Sequence, residues 1–77
     1  MKMPQLDLHG IRHEEVPDIL AKFLWKHRAY KDVLVIITGY SYIMKSRVMA
    51  VLNMYHTRRI EESDGTNWGR IKVWLDN

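Results

Sequence analysis

A carboxylate and an imidazole stand two residues apart near the start of the chain. Asp7 and His9 flank Leu8 in a short run that alternates polar and apolar residues and stops at Gly10. Side chains two residues apart on a strand project from the same face. A carboxylate beside an imidazole fixes the ring tautomer and raises its basicity, so such a pair can carry general acid–base chemistry. In the alternative interpretation, Asp7 caps the next element and His9 makes a local hydrogen bond.

A second candidate group follows the apolar run at residues 33–37 and consists of Thr38, Gly39, Tyr40 and Ser41. Gly39 permits a tight turn, and the helix expected after it presents its first N–H groups to the same place. Helix N-termini favour phosphate. Lys45 and Arg47 add positive charge near that helix start. The alternative is an ordinary strand-to-helix turn with solvated charges.

Hydropathy patterns predict the strands and helices that position these residues. Polar and apolar residues alternate early in the chain, where Leu6 and Leu8 face inward, and apolar residues of two later segments recur at helical spacing. The run at residues 33–37 is typical of a central strand covered on both faces. The last third alternates around a turn-rich stretch at residues 63–67 and predicts a hairpin. The expected strands are residues 5–9, 33–37, 59–61 and 70–75, and the expected helices are residues 14–28 and 44–55.

The order is βαβαββ, which predicts an α/β fold (an α+β sandwich) with a four-stranded mixed sheet and two helices. Helical crossovers make the first three strands parallel, with right-handed connections, and the last strand antiparallel. Ligands of open α/β sheets bind outside the carboxyl ends of the parallel strands. Because His9 and Gly39 both follow such ends, we expect a phosphate-binding cleft between them.

Size and composition restrict the class of protein. A chain of 77 residues predicts a single domain over residues 1–77, and a hydrophobic fraction of 47% is enough for a core. The net charge of +3 favours polyanions mildly. The sequence has no cysteine, which excludes disulfides and thiolate zinc sites. No apolar run approaches the roughly 20 residues of a membrane span and no signal-peptide pattern is present, so we expect a cytoplasmic protein without a membrane partner.

Three stretches, in this order and spacing, resemble the Smr (small MutS-related) domain family. Residues 6–10 read Leu-Asp-Leu-His-Gly, like the opening motif of the family, and Glu-Glu of the first helix follows at the right distance. Residues 36–39 resemble the second motif, and residues 67–73 resemble the last strand. The resemblance covers residues 5–75. It departs at Thr38, where the motif usually has histidine although one branch has threonine, and at Ser41, which replaces its second glycine.

The resemblance implies a fold similar to the C-terminal domain of translation initiation factor 3. Family members bind DNA or RNA, and some nick DNA or cleave messenger RNA. Asp7 and His9 match the Asp-x-His pair of the family, and Gly39 matches the first glycine of the second motif. We therefore expect a nucleic-acid-binding domain, with endonuclease activity through Asp7 and His9 left open. The alternative is a non-catalytic module or adaptor that binds nucleic acid, the ribosome or a protein partner.

Further residues are candidates for contact with nucleic acid. Trp68 and Trp74 lie near cationic side chains and could stack on an unpaired base. We expect no cofactor and no metal ligands, although a dependence on a divalent metal stays open. The expected nucleic-acid-binding residues are Arg12, Thr38, Gly39, Tyr40, Ser41, Lys45, Arg47, Trp68 and Arg70.

Overall fold

The fold alternates strands and helices and ends in a hairpin. A computed structural model of the protein describes residues 3–62 and 69–76. The predicted order of elements is confirmed, whereas the turn-rich stretch at residues 63–67 lies outside the described residues. The elements are β1 (Gln5–Asp7), a 3-10 turn (His13–Glu15), α1 (Val16–Lys26), β2 (Leu34–Ile37), α2 (Tyr42–Leu52), β3 (Thr57–Glu61) and β4 (Arg70–Leu75).

The four strands form one mixed sheet in the order β1-β2-β4-β3. β1 pairs with β2 in parallel, and β4 pairs antiparallel with both β2 and β3. The first three strands therefore run in the same direction, as predicted. The connections from β1 to β2 and from β2 to β3 both move in the same direction across the sheet. Because such connections are right-handed, α1 and α2 lie on the same face.

The core lies between the helices and that face of the sheet. In β2 and β4, Leu34 is registered with Val73 and Ile36 with Ile71, and all four side chains are fully buried. No helix among residues 3–62 and 69–76 covers the opposite face, yet Val35 is also fully buried between its register partners Gln5 and Lys72. The predicted burial of the central strand is thus confirmed, but neighbouring side chains rather than a second helical layer cover its other face. The helices contribute Val16, Leu20, Phe23, Leu24, Met44, Val48, Val51 and Leu52 to the core.

The helix ends differ from the predicted ones for local reasons. α1 is preceded by the 3-10 turn and carries Pro17 in its first turn, where the missing N–H costs nothing. α2 begins at Tyr42, two residues earlier than expected, because the Ser41 hydroxyl accepts a hydrogen bond from the Met44 N–H at 3.1 Å and caps the helix. α2 also ends at Leu52, short of the predicted residue 55. In the described parts of the chain, no helix is long and apolar enough to cross a membrane.

Candidate functional site

The two predicted groups meet at the carboxyl ends of β1 and β2. The Leu8 N–H donates to the Ile37 carbonyl at 2.8 Å, which extends the parallel pairing beyond β1. Gly39 then turns the chain with φ +69°, and the His9 ring lies beside it, with Cδ2 3.7 Å from where a Cβ on Gly39 would sit. The expected proximity of His9 and Gly39 is confirmed. We call His9, Gly39 and Ser41 the strand-end site.

Asp7 contacts the backbone rather than the imidazole. Its Oδ1 accepts a hydrogen bond from the His9 N–H at 2.9 Å. This is the local capping arrangement, which was the alternative to a carboxylate–imidazole pair. The carboxylate orders the turn that carries the imidazole, while both side chains remain exposed to solvent. The imidazole is therefore accessible at the strand-end site, and the carboxylate acts on its backbone.

Thr38 and Gly39 direct their hydrogen-bond donors inward. Their N–H groups donate to the Gly69 carbonyl at 2.7 and 3.1 Å. The Thr38 hydroxyl lies 2.9 Å from the Gly39 carbonyl and 3.3 Å from the Gly69 carbonyl, and Thr38 is only 2% exposed. These groups therefore join the end of β2 to the start of β4. A phosphate at this edge would have to use donors that follow Gly39.

Gly69 holds the turn after β2 in place, a structural role that the sequence analysis did not assign to it. A Cβ on Gly69 would approach the Gly39 Cα to 3.4 Å, so the two backbones touch without a side chain between them. This close approach lets the Gly69 carbonyl accept both N–H groups of the turn. The sequence does contain an indication of this role, because Gly69 directly precedes an alternating strand and such a glycine often marks a close backbone approach.

Exposed aromatic and apolar side chains surround the start of α2. Tyr40 is 81% exposed, and Tyr42 and Ile43 follow at 75% and 58%. Tyr40 was a predicted contact residue, whereas Tyr42 and Ile43 were missed. Helical spacing could have indicated their exposure, because neither Tyr42 nor Ile43 belongs to the apolar stripe that α2 buries. Aromatic rings beside a phosphate-binding position can stack on nucleobases.

The predicted cationic residues are not all presented to solvent. Arg12 is exposed immediately before the 3-10 turn, Arg47 is exposed on α2, and Arg70 is half-buried opposite Ile37. Lys45 is only 9% exposed and lines a cavity of about 590 Å³ along α2. Trp68 lies outside the described residues.

Neither a cluster of metal ligands in the described residues nor a match to a known protein indicates what the strand-end site does. Among residues 3–62 and 69–76, no three His, Asp or Glu side chains come together as a metal site requires. Comparison of the chain with protein families, with curated proteins and with solved structures found no match. The functional interpretation therefore depends on the chemistry of the strand-end site and on the Smr-like sequence pattern.

Proposed function

We propose that this chain is a nucleic-acid-binding domain that holds phosphate at the strand-end site. The observation that carries the proposal is the meeting of His9, Gly39 and the capped start of α2 at the carboxyl edge of two parallel strands. The first turn of α2 has no acidic residue to oppose an anion there. The Smr resemblance implies the same function and a fold similar to the C-terminal domain of translation initiation factor 3.

Two contacts favour binding over cleavage. The Asp7 carboxylate is hydrogen-bonded to the His9 backbone, so it does not orient the ring as a catalytic pair would require. Thr38, which stands where the motif usually has histidine, is buried and bonded to backbone carbonyls. A threonine hydroxyl in that position cannot serve as a second acid or base at neutral pH.

Endonuclease activity is the second candidate, and the exposed imidazole of His9 favours it. An accessible ring beside a bound phosphate can take or give a proton during strand cleavage. On RNA the 2′-hydroxyl supplies an internal nucleophile, so the reaction needs only that proton transfer and a held phosphate. Activity of this kind would depend on His9 and would be weak without a second acid–base group.

Charge reversal at Arg12 tests the binding proposal. Fluorescence anisotropy with a labelled 12-nucleotide RNA, a 12-nucleotide DNA and a 12-base-pair duplex would be recorded between 50 and 200 mM salt. Lys22→Glu is the matched control, because Lys22 is an exposed cation on α1 and the change in charge is the same. We expect affinity to fall with salt, and Arg12→Glu to weaken binding similarly for all base sequences, because phosphate contacts carry no sequence information. Equal losses of affinity in Arg12→Glu and Lys22→Glu, or an affinity that does not change with salt concentration, would contradict the proposal and favour a protein adaptor.

A further inference from the structure

The face of the sheet opposite the helices presents a different set of side chains from the core. Residues that alternate with the buried ones of β4 and β3 project from it, and the register places Arg59 opposite Trp74 and Glu61 opposite Lys72. Asp7 projects from the same face at the carboxyl end of β1, opposite Ile37. We call this surface the helix-free face. Its members on β4 and β3 are Arg59, Glu61, Arg70, Lys72 and Trp74.

An arginine–tryptophan cluster occupies one end of the helix-free face. The Arg59 guanidinium carbon lies 5.1 Å from the centre of the Trp74 ring. An irregularity in β3 between Thr57 and Arg59 inserts Arg58 beside it. Arg58, Arg59 and Trp74 together line a shallow cavity of about 340 Å³. The sequence alone did not reveal this cluster, because the cross-strand register that joins Arg59 to Trp74 is a property of the folded hairpin.

A ligand can replace the ion pair that Arg59 of this cluster makes with Glu61. Arg59 forms an ion pair with Glu61, but the Arg59 side chain is 64% exposed. Exposed ion pairs contribute little to stability, so Arg59 can exchange Glu61 for a phosphate at small cost. Trp74 is half-buried, which fixes the indole on the sheet while part of it remains accessible. A fixed ring flanked by cations is suited to a ligand that carries both a flat aromatic group and a negative charge.

We propose that the helix-free face binds single-stranded nucleic acid, with Trp74 stacked on a base and Arg58 and Arg59 on the adjoining phosphates. This inference rests on the proposed function and extends its site, because Arg70, Lys72 and Trp74 form one row along β4. The row spans about 13 Å at the usual rise of a strand and begins opposite Ile37, next to the strand-end site. A ring fixed on a sheet reaches the faces of unstacked bases, whereas a duplex keeps its base faces covered. The preferred substrate class is therefore a single strand.

Replacing the ring tests the proposal. Trp74→Leu removes the stacking surface and Trp74→Phe keeps an aromatic face, while both preserve an apolar residue on the strand. With a labelled 12-nucleotide uridine RNA, we expect Trp74→Leu to weaken binding roughly 5- to 160-fold, the range for loss of one base–aromatic stack, and Trp74→Phe to retain most of the affinity. Affinity for a 12-base-pair duplex should change little. Trp25→Leu is the matched control, since Trp25 is exposed on α1 and also carries an arginine over its ring.

A second variant keeps the test valid if Trp74→Leu fails to fold, as judged by circular dichroism and urea denaturation. Arg59→Glu changes an exposed side chain and should lower the salt dependence of single-strand binding by about 0.7 in the log–log slope for each phosphate that the protein no longer neutralises. Single-strand binding that Arg12→Glu weakens but Trp74→Leu and Arg59→Glu leave unchanged overturns this inference and leaves the proposed function standing. Equal losses in Trp25→Leu and Trp74→Leu also overturn it. An absence of salt-dependent binding to any probe overturns the proposed function itself.

Discussion

The Asp7 carboxylate accepts a hydrogen bond from the His9 backbone N–H at 2.9 Å, so the Asp7 side chain contacts the main chain of His9 and not its imidazole. An acceptor at this position holds the turn after β1, whatever its charge. The role of Asp7 as a turn cap is therefore separable from any role of its charge in chemistry.

Substitutions at Asp7 should separate these roles. Asp7→Asn keeps an oxygen that accepts from the His9 N–H, so we expect the free energy of unfolding to stay close to that of the wild type. Asp7→Ala removes the acceptor and should lower it by about 0.5–1.5 kcal/mol, the net value of one hydrogen bond. Urea denaturation followed by circular dichroism measures both. Equal losses in the two variants would show that the charge, and not the hydrogen bond, stabilises the turn.

Any cleavage of nucleic acid should depend on His9. We expect His9→Ala to abolish it, because general acid–base assistance is typically worth about 100- to 10,000-fold in rate and His9 carries the exposed imidazole at the strand-end site. Asp7→Asn should reduce cleavage less, since the ring and its turn survive. End-labelled RNA and supercoiled plasmid, incubated with and without EDTA, report both kinds of strand scission. Cleavage that persists in His9→Ala would indicate a contaminant or another site.

The positive φ of Gly39 should make this position sensitive to substitution. At φ +69° a Cβ is strained, so Gly39→Ala should destabilise the fold by about 1–2 kcal/mol. Gly39→Asn should cost less, because asparagine tolerates the left-handed conformation better. Gly10→Ala is the control: Gly10 has φ +82° with no atom within 4 Å of its missing Cβ, whereas a Cβ on Gly39 meets the His9 ring. Thermal or urea unfolding in which Gly39→Asn is no better than Gly39→Ala would contradict the assignment of the cost to φ, since a Cβ 3.7 Å from the His9 ring makes only an ordinary contact.

The Thr38 hydroxyl should matter for stability and not for binding. Thr38→Val keeps the shape of the side chain and removes a buried hydroxyl that bonds to the Gly39 and Gly69 carbonyls. We expect a loss of about 1 kcal/mol, because the Gly69 carbonyl keeps its two N–H donors. The affinity of the folded protein for RNA should stay unchanged in anisotropy measurements. A loss of affinity without a loss of stability would mean that Thr38 turns outward to contact the ligand.

The central strand should dominate the stability of the core. Ile36 is fully buried between Leu6 of β1 and Ile71 of β4, so Ile36→Ala should cost about 2–5 kcal/mol. Ile43→Ala makes the same chemical change at a side chain that is 58% exposed and should cost less than about 0.5 kcal/mol. Denaturant unfolding curves of the two variants provide the comparison. Similar costs at both positions would contradict the assignment of β2 to the core.

Local patterns were sufficient to predict the order of elements and the meeting of His9 with Gly39. Alternation, helical spacing and the apolar run each reflect which side of an element is buried, and the connection rules then determine the strand directions. The bonds of Thr38 could not be predicted in this way, because their acceptor, Gly69, is 31 residues away in the sequence. The burial of Lys45 likewise could not be predicted, because lysine is usually exposed and its burial here depends on how α2 packs. Residue spacing also cannot set the side-chain torsions that direct Asp7 to the His9 backbone.

The position of β4 has a consequence for how the protein is made. β4 is the last strand in the sequence but lies inside the sheet, between β2 and β3. In a nascent chain that has emerged only as far as β3, the edges of β2 and β3 that pair with β4 therefore both lack their partner. The four-stranded sheet is complete only when residues 70–75 have left the ribosome, and the pairing of β4 with β2 joins segments far apart in the sequence, which is intrinsically slow. A stop codon that removes β4 would leave β1 paired with β2 and β3 without a partner strand, and would expose the core side chains that Ile71, Val73 and Leu75 cover.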